Sequence, residues 1–292
     1  MLRTLLLLSC SCAVSAAAAE YTLESGDYSI RFSGELRHTV RSIRYRSYEI
    51  GTRTGFYGTV MAPERGKFIG SGHSEGGEEK VLQWSLLADG RALEPKNDET
   101  IRAGKFVLEK VSRFDNALFR VRVELSPEGF LEQKRFLTVG EQKFHLLYVN
   151  LFCWNKATTD WFAMTAEGTF ESGVFRQEKV LWHLEKEIRW TAIYDAAAKK
   201  GVLLYYPEVI KGSIRKACYW EVPRAYNKYY MMAAFPAQCA KGWQSPVYTV
   251  FLRGFEASGA KACPAVLEKE SARIAGMKLP VLPLPEESPA NP

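Results

Sequence analysis

Past its first nineteen residues the chain has no apolar run near the roughly 18 residues a membrane-spanning helix needs, which excludes a helical membrane protein. Histidine is scarce, at four in 292 residues. No Cys-x-x-Cys pair and no Cys/His spacing of the zinc-binding kind occurs, so no metal site is expected, and no residue pattern identifies a cofactor. Alternation of strands with helices is also missing, which argues against a doubly wound α/β fold. There is no internal repeat, no interdomain linker and no recognisable nucleic-acid module. The formal net charge of +6 is modest. It fits an acidic partner better than a cationic one, and nucleic acid is not expected as a partner.

The N-terminus reads as a targeting segment. Arg3 supplies one positive charge, residues 5–8 are four leucines, and residues 15–19 (SAAAA) end the stretch in small side chains. A short basic region, an apolar core and an A-x-A-like site describe a signal peptide over residues 1–19, cleaved near Ala17 to Ala19. The expected destination is therefore the periplasm or the exterior. A lipoprotein acylated at Cys10 is the alternative, although it would leave an unusually short apolar region.

Residues 20–277 are expected to form a single β-sandwich domain. Residues 119–125 (FRVRVEL) alternate strictly between apolar and polar. Ser126-Pro127-Glu128-Gly129 turns the chain into 130–139, and Gly140-Glu141 turns it into 144–154. Asp89-Gly90 and Asp115-Asn116 are further turn signals. Short strands joined by tight turns point to an all-β fold of large antiparallel sheets. The 144–154 strand is apolar on both sides and should be central, with Tyr148, Phe152 and Trp154 on one face and Leu147, Val149, Leu151 and Cys153 on the other. Asn150 within it needs hydrogen-bond partners. One helix is expected near the end, with Pro264 in its first turn, Val266, Leu267 and Ile274 at helical spacing, and Gly276 as its stop. Residues 278–292, with five prolines, read as an extended and poorly ordered tail. Cys10 and Cys12 leave with the signal, and Cys153, Cys218, Cys239 and Cys263 remain as structural disulfides or buried thiols.

Three stretches could carry chemistry. Residues 66–79 (GKFIGSGHSEGGEE) hold five glycines around His73 and Glu75, which point the same way in an extended segment. An imidazole beside a carboxylate suits acid–base work or a sugar hydroxyl, while a plain glycine-rich loop is the structural alternative. The same segment matches G-x-S-x-G around Ser74, which would make a secreted serine hydrolase only between a strand and a helix of an α/β sheet. Residues 224–230 (RAYNKYY), preceded by Tyr219 and Trp220, interleave aromatic and basic side chains, as a surface that stacks on sugars would. Here Tyr226 is the candidate proton carrier, with Arg224, Asn227, Tyr230 and Trp220 as substrate-binding candidates; an edge strand with core anchors is the structural alternative. Arg37, Arg41, Arg44, Arg46 and Arg53, set among Glu35, Glu49, Tyr45 and Tyr48, could line an anionic groove or simply solvate a sheet face. His145 and His183 read as structural.

Residues 130–139 (FLEQKRFLTV) and 145–152 (HLLYVNLF) resemble the central strands of galactose mutarotase-like β-supersandwiches. Residues 189–195 (RWTAIYD) with 201–206 (GVLLYY) are similar to the later hairpin of that fold, and 245–256 (SPVYTVFLRGFE) to its closing strand. The resemblance implies a carbohydrate ligand. It also implies, for aldose 1-epimerase activity, an H-P-Y-F-type segment after the central strand, where this chain has Cys153-Trp154-Asn155-Lys156. The expectation is an exported protein that binds or processes an acidic polysaccharide or oligosaccharide. It would be either a lyase acting by β-elimination, with an arginine neutralising the uronate, or a non-catalytic glycan-binding protein.

Overall fold

The structure is a computed structural model that describes residues 20–53, 58–72, 79–178, 180–184, 186–212 and 217–286; the side chain of His183 is left out. The chain opens with a meander of β1 (Glu20–Ser25), β2 (Tyr28–Ser33), β3 (Thr39–Tyr45) and β4 (Tyr48–Gly51). A hairpin of β5 (Gly58–Glu64) and β6 (Lys67–Gly70) follows, then one of β7 (Lys80–Ala88) and β8 (Arg91–Ala92). Asp89 and Gly90 turn the latter with positive φ, as the Asp-Gly signal implies. Short β9 (Thr100–Arg102) leads into the meander β10 (Phe106–Phe114), β11 (Ala117–Ser126) and β12 (Gly129–Thr138). Next come β13 (Gln142–Lys143), β14 (Leu146–Asn155), β15 (Asp160–Thr165), β16 (Phe170–Val174) and β17 (Leu181–Leu184). The chain continues with β18 (Ile188–Asp195), β19 (Lys200–Tyr205), β20 (Ala217–Val222), β21 (Tyr226–Met232), β22 (Gln238–Cys239) and β23 (Tyr248–Glu256). A 3-10 turn at Ala260–Ala262 precedes helix α1 (Cys263–Ala275), which has proline in its first turn and Gly276 at its C-cap.

Two large sheets result. One has 11 strands along the path β17-β20-β21-β14-β4-β3-β2-β1-β9, with β5 and β6 attached at β14. The other has 10 strands in the order β16-β15-β18-β19-β23-β12-β11-β10-β7-β8. Pairing is antiparallel throughout these ladders except between β1 and β9. The sheets pack face to face through one apolar core that takes Tyr21, Phe32, Ile43, Trp154 and Tyr229 from the first, and Phe106, Phe119, Phe130 and Leu252 from the second.

Charge also lies between the sheets. The Lys110 ammonium sits 2.7 Å from the Glu79 carboxylate, with both side chains almost fully buried. Glu79 also accepts hydrogen bonds from Ser71, Ser112 and the Gly72 N–H. Lys134 pairs with Glu132 at 2.9 Å and donates to the Val149 carbonyl at 2.8 Å. A small pocket of about 30 Å³ is lined in part by Lys110, Lys134, Glu132 and His38. Buried ions this well partnered hold their positions, because removing one partner strands the other in a medium that solvates it poorly.

The outer faces of the sheets differ. Helix α1 lies on β19 and β23 and buries Cys263, Leu267 and Ile274 against Phe251, Phe255 and Tyr194 of the 10-stranded sheet. The chain beyond it continues over the same sheet. Its carbonyls at Pro280, Leu282 and Leu284 accept hydrogen bonds from Gln133, Arg135 and Arg120, and Leu282 is fully buried. Residues 278–286 are therefore an anchored strap where a poorly ordered tail was expected. The outward side chains of β11 and β12 supply donors that the strap's backbone accepts. Cys153, Cys218, Cys239 and Cys263 are all buried thiols. Burial pushes the Cys263 thiol up to about 12, so it stays protonated and unreactive at neutral pH.

Candidate binding face

Among the described residues, helix and strap both lie on the 10-stranded sheet, which leaves the outer face of the 11-stranded sheet to its own side chains. Strand β21 shows how that face is made. Its residues alternate, with Asn227, Tyr229 and Met231 buried and Tyr226, Lys228 and Tyr230 half-buried, as period-two geometry requires when one side packs on the core. It is an interior strand between β20 and β14 rather than the edge strand considered as an alternative. Trp220 of β20 lies on the same face and stacks on Tyr230, with ring centroids 6.3 Å apart and planes 23° from parallel. The Lys228 ammonium sits 5.1 Å from the Tyr230 ring centre.

Tyr148 joins this group, 5.4 Å from Tyr230, through a bulge. The register of β14 shifts between Tyr148 and Asn150 against β21 and between Tyr148 and Leu151 against β5. The extra residue reverses which side chains face outward beyond it. By register Tyr148 therefore shares its side of the sheet with Leu151 and Cys153, which are themselves buried, whereas Phe152 and Trp154 stack on each other within the core, 5.2 Å apart. Strict alternation had placed Tyr148 with Phe152 and Trp154, and the bulge is the reason that assignment fails. It is stabilised from inside: the Val149 carbonyl accepts from Thr59 and Lys134, and the Asn150 amide donates to Glu132.

The result is a shelf of three stacked or tilted rings with a cation over one of them. Rings of this kind bury the apolar faces of sugars while their hydroxyls stay available for hydrogen bonds. The Tyr230 hydroxyl is held well above its ordinary titration range, first by burial and then by Cys218, Cys153, Tyr226 and Tyr148. It is thus a hydrogen-bond donor at neutral pH and not a base.

Beyond β14 the same face becomes ionic. Glu20, at the start of β1, accepts from Arg31 Nε at 2.7 Å, and Arg53 and Arg41 approach its carboxylate at 3.5 and 4.0 Å. Arg31 also reaches Asp98 at 2.7 Å, and Arg44 pairs with Glu49 at 3.7 Å. The Thr52 N–H donates to the Cys153 carbonyl, and Cys153 is paired with Lys228 in the next strand. Arg53 therefore leaves the sheet about two strand spacings, or roughly 10 Å, from Lys228. The aromatic shelf and the arginine array are neighbours on one surface.

Of the residues expected to form a site, Trp220, Tyr226 and Tyr230 share this face. Arg224 stands apart at the exposed tip of the β20–β21 turn, with φ 67. Asn227 faces the other way: it is buried and its amide donates to the carbonyl and hydroxyl of Thr158. Its side chain is thus tied to the loop between β14 and β15, on the side of the sheet away from the aromatic shelf. His73, Ser74 and Glu75 lie outside the described residues. The ends of their segment are anchored inside, since the Gly72 N–H donates to Glu79 and Gly72 has φ +82 with a Cβ position 2.2 Å from Thr39 Oγ1. Of the five arginines, Arg41, Arg44 and Arg53 belong to the face. Arg37 instead donates to the Glu79 carbonyl, and Arg46 pairs with Asp27 and Glu256. His145 is exposed ahead of β14, and the backbone of His183 pairs with Cys218. Tyr148, Glu20 and Arg31 were not anticipated. Among the described residues no group of His, Cys, Asp and Glu could hold a metal ion, and no helix there is long and apolar enough to cross a membrane.

No protein-family model matches the chain, and no curated protein matches it significantly. Solved structures do. The galactosidase domain of an alpha-galactosidase–sucrose kinase superposes with a TM-score of 0.53 at 8% identity, covering 80% of this chain and 40% of that one. A TPR-domain containing protein from Parabacteroides distasonis gives 0.53 at 10% identity, over 90% and 49%. A galactose mutarotase-like protein from Clostridium acetobutylicum gives 0.50 at 10% identity, over 81% and 95%. This chain thus spans about two fifths of the galactosidase chain and about half of the TPR-domain protein. At these identities the likeness is one of fold, and the fold is galactose mutarotase-like.

Proposed function

We propose that this protein is exported and binds an acidic oligosaccharide or polysaccharide across the open face of its 11-stranded sheet. The observation that carries the reading is the half-buried shelf of Trp220, Tyr230 and Tyr148 with Lys228, beside an arginine array on the sheet face that, among the described residues, carries neither the helix nor the strap. Rings serve the apolar faces of sugars, and guanidiniums serve uronate or sulfate groups. The sugar-related names of two similar folds agree with this reading, but fold alone does not choose a ligand. Titration calorimetry with matched neutral and uronate-bearing oligosaccharides tests it. The acidic ligand binds the wild type, and Trp220→Ala weakens that binding at least tenfold. Equal binding of neutral and acidic ligands refutes the acidic specificity, and unchanged affinity in Trp220→Ala refutes the site.

If the protein also cleaves its ligand, β-elimination fits the same face. Tyr226 is the outward-facing proton carrier, His73 and Glu75 are further candidates, and an arginine neutralises the uronate carboxylate. Appearance of the ultraviolet absorbance of an unsaturated uronate then marks a lyase, and saturable binding without product marks a glycan-binding protein. Aldose 1-epimerase activity has less support. At the end of β14, Trp154 is in the core and the Asn155 amide is bonded to the Glu49 carbonyl, so this stretch offers no imidazole to an anomeric centre. Labelling of Ser74 by a serine-directed reagent would instead indicate a hydrolase. N-terminal sequencing of protein recovered outside the cytoplasm tests export, with cleavage expected near Ala17 to Ala19.

A further inference from the structure

We infer that the three arginines around Glu20 form a subsite for one anionic group of the ligand, a sulfate or a carboxylate, and that Glu20 occupies it as an internal stand-in. The inference rests on the open face being the glycan site and names the group that is read there.

Three features of the cluster carry it. The first is convergence: Arg31 from β2, Arg41 from β3 and Arg53 from beyond β4 all turn to a single carboxylate on β1. The second is the looseness of two of these contacts. Charge-assisted guanidinium–carboxylate bonds settle at about 2.7–2.9 Å. Arg31 reaches that distance, while Arg53 at 3.5 Å and Arg41 at 4.0 Å do not. One carboxylate has too few oxygens in the right places for three planar forks, whereas a tetrahedral sulfate, or a sugar carboxylate entering from solvent, can face Arg41 and Arg53 directly. The third is charge. Arg31, Arg41, Arg44 and Arg53 give +4 against −3 from Glu20, Asp98 and Glu49, which leaves +1 on the patch.

The position of Glu20 suits a stand-in. Its side chain is 28% exposed at the outermost end of β1, so it can swing into solvent without disturbing the sheet. Displacing it then restores two loose contacts to full hydrogen bonds. Binding of an external anion is weakened in the resting protein by this competition, and removal of the Glu20 carboxylate relieves it.

Inorganic sulfate is the probe, measured by calorimetry on the chain left after cleavage near Ala17 to Ala19, at constant ionic strength with chloride as the balancing anion. Glu20→Ala is expected to bind sulfate about tenfold more tightly than the wild type. Adding Arg41→Ala to that variant reverses the gain, and Trp220→Ala leaves sulfate binding unchanged. Thermal midpoints within a few degrees of the wild type establish that the variants fold. A folded Glu20→Ala with wild-type or weaker sulfate affinity overturns the inference, as does a gain that survives loss of Arg41. The two readings fail separately: oligosaccharide binding lost while Glu20→Ala still gains sulfate affinity sinks the glycan site only, and the converse sinks the stand-in only.

Discussion

The molecule holds two ionic assemblies built from the same kinds of side chain, and they behave oppositely. Between the sheets, Lys110 and Glu79 are 3% and 0% exposed, and each ion is met by several hydrogen bonds. On the open face, Arg31, Arg41, Arg53 and Glu20 are 23–52% exposed, and two of their three contacts are long. In the core, desolvation makes every unmatched charge expensive, so geometry is fixed and the ions are part of the scaffold. At the surface, water screens the same charges and partners can exchange at little cost, which is what a ligand requires. Charge alone does not mark a binding site. Charge that is incompletely matched and open to solvent can exchange partners, as the proposed subsite requires.

The largest expected effect breaks the buried assembly. Lys110→Met leaves the Glu79 carboxylate without its cation, and urea unfolding should show a loss of about 3–5 kcal/mol. A smaller loss would mean that the interior is wetter than the burial indicates.

His38 gives the next effect. It is 8% exposed, stacks on Trp84 at 3.8 Å and bonds to the Tyr21 hydroxyl at 3.2 Å. Burial, and then the charge of Lys110, lowers it from its ordinary 6.5 to about 4. The unfolded chain therefore takes up a proton that the folded protein refuses between those values. Stability from this group is full above pH 6.5 and falls as pH drops toward 4, by about 3 kcal/mol in all. Unfolding curves across that interval should show the fall in wild type and its absence in His38→Gln; equal slopes would remove His38 as the cause. The smallest change in stability is expected on the open face, where Glu20→Ala should alter unfolding by less than about 1 kcal/mol. A larger loss would mean that the arginine array is scaffold like the core.

Much of the architecture was legible in the sequence because it follows from local rules. Alternation over residues 119–125, the Pro-Glu-Gly turn at 127–129, and Pro264 with Gly276 around a helix each act within a few residues, and each strand, turn and cap is where those rules place it. The bulge at Tyr148–Asn150 was not legible. It depends on Lys134 and Thr59 reaching the Val149 carbonyl from other strands, and no local pattern records that. The strap over residues 278–286 escaped notice for the same reason: its prolines say only that it is extended, while its anchors lie on β11 and β12.

The candidate site was half legible. The interleaved aromatic and basic residues of 224–230 mark β21, and period two separates Tyr226, Lys228 and Tyr230 from Asn227 once that strand is known to be interior. Tyr148 was hidden by the bulge. Glu20 and Arg31 were hidden because Glu20 meets its arginines through the pairing of β1 to β4, which brings together residues up to 33 positions apart.

The central claim is that the outward side chains of β20 and β21 contact a sugar while their inward neighbours only support the sheet. Calorimetric titration of an acidic oligosaccharide into wild type, Trp220→Ala and Asn227→Ala tests it most directly. The account predicts that Trp220→Ala loses at least tenfold in affinity with little change in unfolding, and that folded Asn227→Ala loses stability but keeps its affinity. The reverse pattern, with affinity following Asn227 and indifferent to Trp220, would place the ligand elsewhere.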